Sequence, residues 1–470
     1  MFLFIVGVSA VLLAVFFLVF PKIGVWTLTF LSIFQLTYFH RWTVVNIPRF
    51  FAWLPFFVAI LLIIPLVIER FFYRQIFAKK VSLLRLLYLF VLGMIIVSTV
   101  SSYVNGTDLL TSLFGIRYIL LLLIMATALH TYRNLGLDIN SFMRFTVWIG
   151  IVQIPFAIFQ RVLFSNFGII LTGQSQDLIS GTFSSYSTMC FFQLMALSIV
   201  VSFWVRTGKA IIGKFILPLI VGLCVPIALS NARAIFLFLM ILIFLVIVRF
   251  HSVLVKRFVK FYLYGIALLV LVYFGSMFTF WSFQKREFGR DIKRQYKIDY
   301  LLNYVLRPSM PAHVYLVNGG DPRMGRIRAL TTSIDLIKGD WTTLLFGLGA
   351  GSTQQSQVFA SSGKYFQSYG PLSGLGRTDI SLVLAEFGGV GILLYLYLFA
   401  GMWRVIARHK AKGAIKYYFV KDAFFFMAFF FAINAVYSQG LSNYAVLLYI
   451  AYFIAMVEHK NATPQFVGTL

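Results

Sequence analysis

The sequence predicts an all-α polytopic membrane protein, and three observations carry that expectation. Sixty per cent of the 470 residues are hydrophobic and eleven per cent are charged, with a mean hydropathy of +0.90. Apolar runs near the roughly 20 residues that a helix needs to span a bilayer recur along most of the chain. The connectors between them alternate in charge. Connectors 69–85, 206–214, 249–260 and 403–421 carry five, three, four and six Lys or Arg, whereas 104–112, 164–186 and 438–440 carry none. Short basic loops stay in the cytoplasm, so the two sets are expected on opposite faces. The net charge of +26 then reflects membrane topology rather than nucleic-acid binding.

In chain order the expected spans are 2–20, 24–39, 50–68, 86–103, 113–130, 145–163, 187–205, 215–231, 234–249, 261–280, 378–402, 422–437 and 441–457. That makes 12 or 13, because the first two are joined only by Pro21–Lys22. Met1–Phe20 has neither a basic n-region nor a small-residue cleavage site and reads as a retained helix. The chain divides into about ten helices over 1–280, a long segment 281–377, and about three helices with a short tail over 378–470. Alternation makes 281–377 extracytoplasmic. Its 13 basic and six acidic residues do not decide the matter, since long loops translocate regardless of charge. The face of the N-terminus stays open. Cys190 and Cys224 fall inside spans and read as small core residues, not as a disulfide framework.

Within the long segment, "DPRMGRIRALTTSIDLIKGD" reads as a helix, with Asp321 suited to the N-cap, Pro322 to the first turn and Lys338–Gly339 to the end. Ile327, Leu330, Ile334 and Ile337 form its apolar stripe. Arg326 lies on the flank of that stripe and Arg328 nearly opposite. Arg323 falls near its centre, where it either caps a buried anion site or sits in a frayed first turn. Next comes "DWTTLLFGLGAGST" (340–353), with Gly347, Gly349 and Gly351 at alternate positions. Their outer location and a spacing that fits neither G-x-G-x-x-G nor a P-loop exclude a nucleotide site. Glycines here let the backbone approach either a bulky anionic ligand or a neighbouring helix.

Further on, "GRTDISLVLAEFGGVGILLYL" places Arg377 and Asp379 at the outer mouth of a helix and Glu386 two turns down. Of the fourteen acidic residues, only Glu386 reads as truly intramembrane, which marks either a functional group or a helix-packing carboxyl. Arg233 and Arg117 open spans at the outer face, against the positive-inside tendency; each either meets an anion or snorkels to headgroups. Arg286, Arg290, Lys293, Arg294 and Lys297 share one helical face, solvated or set against anionic headgroups or glycan. His313 is the one histidine of six in the long outer segment. The absence of H-E-x-x-H, of a paired Asp-x-Asp and of a Cys/His cluster gives no expectation of a metal. No G-x-S-x-G points to a serine nucleophile.

Five stretches together resemble the O-antigen polymerase and ligase superfamily of bacterial lipid-linked glycan transferases (Wzy and WaaL type). "IGIVQIPFAIFQ" (149–160) resembles its Gln-containing helix, and "GTFSSYSTMCFFQLMAL" (181–197) its G-T-F segment. "SNARAIFLFL" (230–239) resembles its Ser-x-x-Arg-type helix start. "GRIRALTTSIDLI…LLFGLGAG" (325–351) resembles its Arg-bearing helix and G-x-G turn. "RTDISLVLAEFGGVG" (377–391) resembles the helix carrying His-Asn and then Glu-x-Gly-x-x-Gly. One departure is that Arg377–Thr378 stands where the family often has His-Asn, the histidine being the proposed base in ligases.

The resemblance implies a GT-C-like architecture and transfer of saccharide units from a polyprenyl-diphosphate carrier to an acceptor glycan on the extracytoplasmic face of the bacterial cytoplasmic membrane, without metal, nucleotide or other cofactor. Under that reading Arg233, Arg326 and Arg377 clamp the diphosphate as negative charge develops on it. Asp379 takes the acceptor's proton, with His313 as second choice. Arg323, Arg328, Arg117, Glu386, Gly347 and Gly349 are the further candidates for substrate contact. Expected partners are the lipid-linked oligosaccharide, the acceptor glycan, membrane lipids and a chain-length regulator, with no nucleic acid. A polymerase is expected first, a ligase to a terminal lipid acceptor second, and a non-enzymatic lipid or solute transporter third.

Overall fold

The computed structural model describes most of residues 12–34, 53–73, 82–132, 139–167, 179–254, 326–354, 363–365, 378–408 and 418–456. Among these the chain is helical with no strand, and six helices are long and apolar enough to cross a membrane. It is an all-helical, multi-pass membrane protein. Spans 2–20 and 261–280, and the basic face at 286–297, fall wholly or largely outside the described residues. Each other expected span overlaps a helix, 24–39 only as far as Ile33, with 35–39 outside the described residues.

The first helices are α1 (Pro21–Ile33), α2 (Leu54–Tyr73), α3 (Ser82–Asn105), α4 (Leu109–Tyr132) and α5 (Ile139–Phe167). Pro21 opens α1 at its first turn, where a missing N–H costs nothing. There follow α6 (Tyr186–Thr207), α7 (Ile216–Leu229) and α8 (Arg233–Leu254), and in the long segment α9 (Arg326–Ile337) and α10 (Trp341–Phe346). The chain then forms α11 (Asp379–Arg408), α12 (Tyr418–Tyr437) and α13 (Tyr444–Met456).

Burial sorts these helices into layers. The apolar window of α6 is 94 % buried against 44 % for α3, so α6 is an interior helix and α3 keeps a broad face for lipid. In α13 every residue from Ala445 to Met456 is buried. Aromatic rings fill the space between them: Phe142 stacks on Tyr452 (4.5 Å between centroids), Phe192 meets Tyr449 edge-on (5.0 Å) and Phe424 meets Phe453 (4.9 Å). α11 packs along α3, α12 along α6, and α13 along α4.

The helix ends also sort by connector charge. Thr188 of α6, Asp379 of α11 and the 438–443 link meet at the end with charge-free connectors. Arg206, Arg249 and Asp422 meet at the end with basic connectors.

One sequence reading is corrected. The packed face of α9 is Arg326, Ala329, Leu330, Ser333 and Ile337, while Ile327 and Ile334 are exposed. Ala329 and Ser333 are fully buried against α11, with Ser333 Oγ 3.1 Å from Ser381 O. Close helix packing in membranes selects small side chains, so the bulkiest residues do not mark the contact. Glu386 is not the only buried acid, although the others lie at helix ends. Asp379 and Asp422 are buried to the same degree.

Candidate functional site

α11 is a broken helix. Gly388 has φ 63° and ψ −159°, a left-handed backbone that a side chain would strain. A Cβ there would also meet the Leu345 and Gly347 backbone at 2.6 and 2.5 Å. The break frees carbonyls in the preceding turn, and in a membrane such groups must be satisfied by protein. The glycine turn does this: Leu348 N–H donates to Ala385 O (2.8 Å) and Gly349 N–H to Glu386 O (3.2 Å).

The turn is held from both sides. Gly347, Gly349 and Gly351 all have positive φ. Gly347 O accepts from Ser101 Oγ (2.7 Å) and Asn105 Nδ2 (3.1 Å) of α3. Gly351 lies so close to α4 that a Cβ would sit 2.2 Å from Thr111 O. Glu386, fully buried, receives Gly351 N–H (2.9 Å), Thr353 N–H (3.2 Å), Thr353 Oγ1 (2.7 Å) and Gln354 Nε2 (3.0 Å). Four donors match the four lone-pair sites of a carboxylate. Of the two readings of these glycines, close approach to neighbouring helices is the one realised in this conformation, and Glu386 is the latch.

One to two turns nearer the charge-free end lies the mouth of α11. Thr378 and Ser381 form a reciprocal capping box: Ser381 N–H donates to Thr378 Oγ1 (3.1 Å) and Thr378 N–H to Ser381 Oγ (3.2 Å). Asp379 is therefore not the cap. It turns to the 438–443 link, where its carboxyl accepts Leu441 N–H (2.9 Å) while its own N–H donates to Ser438 O (3.1 Å). Tyr395 hydroxyl donates to the second oxygen (3.3 Å). Asp379 is 2 % exposed, so in this conformation a base role requires the link to move off it.

Arg326 grips the other side of the same link. Its Nε donates to Tyr437 O (2.7 Å) and its guanidinium stacks 3.7 Å from the Tyr437 ring centre. Tyr437 in turn meets Phe191 edge-on at 5.8 Å. Phe191 lines a narrow apolar crevice between α6, α12 and α13, with Met195, Phe431 and Tyr449 further in and Thr188 and Asn434 as its polar members. Asn443 caps α13 through Ala445 N–H (3.0 Å) and donates to Thr188 Oγ1 (2.9 Å). Arg117 sits in an aromatic cradle, 4.3 Å from the Tyr118 ring centre and within 6 Å of Trp53 and Phe114. Tyr118 touches Tyr444, the first residue of α13, at 5.9 Å.

Of the expected site residues, Arg326 and Asp379 are thus brought to one link, Arg117 reaches its edge through two tyrosines, and Glu386, Gly347 and Gly349 form a separate latch. Arg233 opens α8 and Arg328 occupies the far side of α9 by register, but their side chains lie outside the described residues. Arg377, Arg323 and His313 lie outside them altogether.

Tyr437, Asn434, Asn443 and Thr188 were not singled out from the sequence. The signal available was a pair of asparagines bracketing the charge-free connector in "INAVYSQGLSNY". No protein-family model matches the chain, and no curated protein matches it.

Proposed function

We propose that the protein is a glycosyltransferase that extends a glycan from a polyprenyl-diphosphate-linked donor at its charge-free end, which faces away from the cytoplasm. The observation that carries this reading is Arg326, a guanidinium fixed by Nε and by stacking on Tyr437 at the charge-free end. As the bond from the anomeric carbon to the diphosphate oxygen breaks, charge builds on the leaving group. A preorganised guanidinium then stabilises the transition state more than the ground state. Arg117 and, at the start of α8, Arg233 are the further cations at this end. Asp379 is placed to accept the acceptor hydroxyl's proton once acceptor binding parts Leu441 from it.

The resemblance set out above supports the same reading through its internal pairing. Gln153 and Gln160 of the Gln-containing helix bind Thr182 and Gly181 of the G-T-F segment, at 2.8 and 2.9 Å. The G-x-G turn and the Glu-x-Gly-x-x-Gly helix bind one another through Glu386. The test is the purified protein in proteoliposomes with a polyprenyl-diphosphate oligosaccharide and no added metal. A ladder of product lengths is expected. A single transfer to a different terminal acceptor would make it a ligase, and donor moved unchanged across the bilayer a transporter.

A further inference from the structure

At the opposite end of the molecule, Asp422 of α12 is fully buried and bound by two arginines. Arg206 at the end of α6 donates Nε to one oxygen (2.7 Å), and Arg249 near the end of α8 donates Nε to the other (2.8 Å). One arginine would neutralise a buried carboxylate; the second leaves a surplus positive charge. Ring faces hold both guanidiniums. Arg206 lies 5.0 and 5.5 Å from the Phe250 and Tyr418 ring centres, and Arg249 lies 5.4 Å from that of Phe425.

With Nε on Asp422 and the planes against rings, the η-nitrogens are what each arginine still presents. They have no acceptor among the described residues, while the side chains are 17 % and 33 % exposed. Two part-exposed guanidinium groups on one carboxylate, with η-nitrogens to spare, are suited to bidentate contact with a tetrahedral oxyanion.

We propose that Arg206 and Arg249, oriented by Asp422, form a phosphate-binding site at the basic end, filled by the headgroup phosphate of an anionic phospholipid. The lipid source follows from position. The site sits where three apolar helices end, beside connectors with two, three and six further basic residues, and at the level where headgroups meet the protein. It clamps α6, α8 and α12 together at the end remote from Arg326.

The experiment is native mass spectrometry of the full chain from nanodiscs of phosphatidylglycerol or phosphatidylcholine, with a parallel thermal-shift series in inorganic phosphate. Wild type should retain phosphatidylglycerol over phosphatidylcholine. R206K/R249K keeps Asp422 paired and both charges but removes the forks, and should lower that preference about tenfold, the worth of one lost charge-assisted hydrogen bond. R206Q/R249Q/D422N removes the buried charge together with its partners and should do the same while still folding. K209Q/K214Q, on exposed positions of a basic connector, keeps both forks and should lower the preference less than R206K/R249K does. Arginine-dependent stabilisation by inorganic phosphate without lipid preference would replace the lipid by a soluble phosphate. Unchanged retention in both arginine variants, folded by gel filtration, would overturn the site.

Discussion

Arg326 and Arg328 lie two positions apart on α9, yet by register one faces the packed side and the other lies nearly opposite. If Arg326 meets developing charge on a diphosphate, Arg326→Ala should lower turnover by roughly 10²–10³-fold, and Arg328→Ala should leave it within a small factor. Arg326 also ties α9 to Tyr437, so a lost tether must be separated from lost chemistry. Arg326→Lys does this: it keeps charge without the planar fork, and should keep the melting temperature near wild type while turnover falls. Equal losses from Arg326→Ala and Arg328→Ala in folded protein would contradict the assignment. Asp379 poses the sharper question, because Leu441 N–H and Tyr395 hydroxyl already occupy its oxygens. Asp379→Asn keeps an acceptor for Leu441 but cannot take a proton. Under the base reading, polymer formation collapses while donor binding and melting temperature persist. A drop in melting temperature with turnover of the surviving protein intact would make Asp379 an anchor for the 438–443 link. The sequence singled out Arg326 from its place on the flank of an apolar stripe and Asp379 from its place at a helix mouth. It did not show Tyr437 or Leu441, since their roles arise only when chain positions some 60 to 110 residues apart meet.

The helix spans were legible because each is an uninterrupted apolar run, and hydropathy reports that directly. The break in α11 was not, because a glycine pair inside an apolar run also occurs in continuous helices. What makes Gly388 a break is the 345–351 backbone pressed against it. The stripe on α9 was misread for a related reason: helical period identifies a face, but a close approach is made by Ala329 and Ser333 rather than by isoleucines. The Asp422 pairing was invisible because its two arginines lie more than 170 residues away in sequence. The latch between α11 and the glycine turn gives two tests. Glu386→Gln keeps the volume but turns an amide donor toward Gly351 N–H or Thr353, leaving at least one buried donor without an acceptor, at a cost of about 1–3 kcal/mol for each such group. Gly351→Ala puts a Cβ onto Thr111 O in a positive-φ position, and neither backbone can yield cheaply. Both variants should melt at lower temperature in detergent, Gly351→Ala by more, and limited proteolysis should open first within 340–365. Wild-type melting of Gly351→Ala would mean that the turn does not pack as described.

Over the whole molecule, connector charge and helix packing give one consistent polarity. Charge-free connector 438–440 lies where Asp379, Arg326 and Asn443 meet, and basic connectors 206–214, 249–260 and 403–421 begin at Arg206, begin at Arg249 and end beside Asp422. Alternation in sequence carries this information because each membrane crossing inverts the side, so a run of short loops records its own topology. The proposed function takes α9 and α10 to lie on the outer side, which the charge of segment 281–377 itself does not decide. The structure supplies the means to check it. The two native cysteines are fully buried, so a single added thiol on the surface reports alone. Lys338, in the exposed turn after α9, makes only a surface ion pair with Asp335, which is worth little to stability. Lys209 lies exposed in connector 206–214 at the other end. In spheroplasts, Lys338→Cys should react with an impermeant maleimide before lysis, and Lys209→Cys only after the membrane is opened. The reverse order would invert the polarity and put Arg326 on the cytoplasmic side, where the proposed donor chemistry would have to be abandoned. Reaction of both before lysis would mean that α9 and connector 206–214 share a face, which the contacts of α6 with both ends of the bundle do not allow.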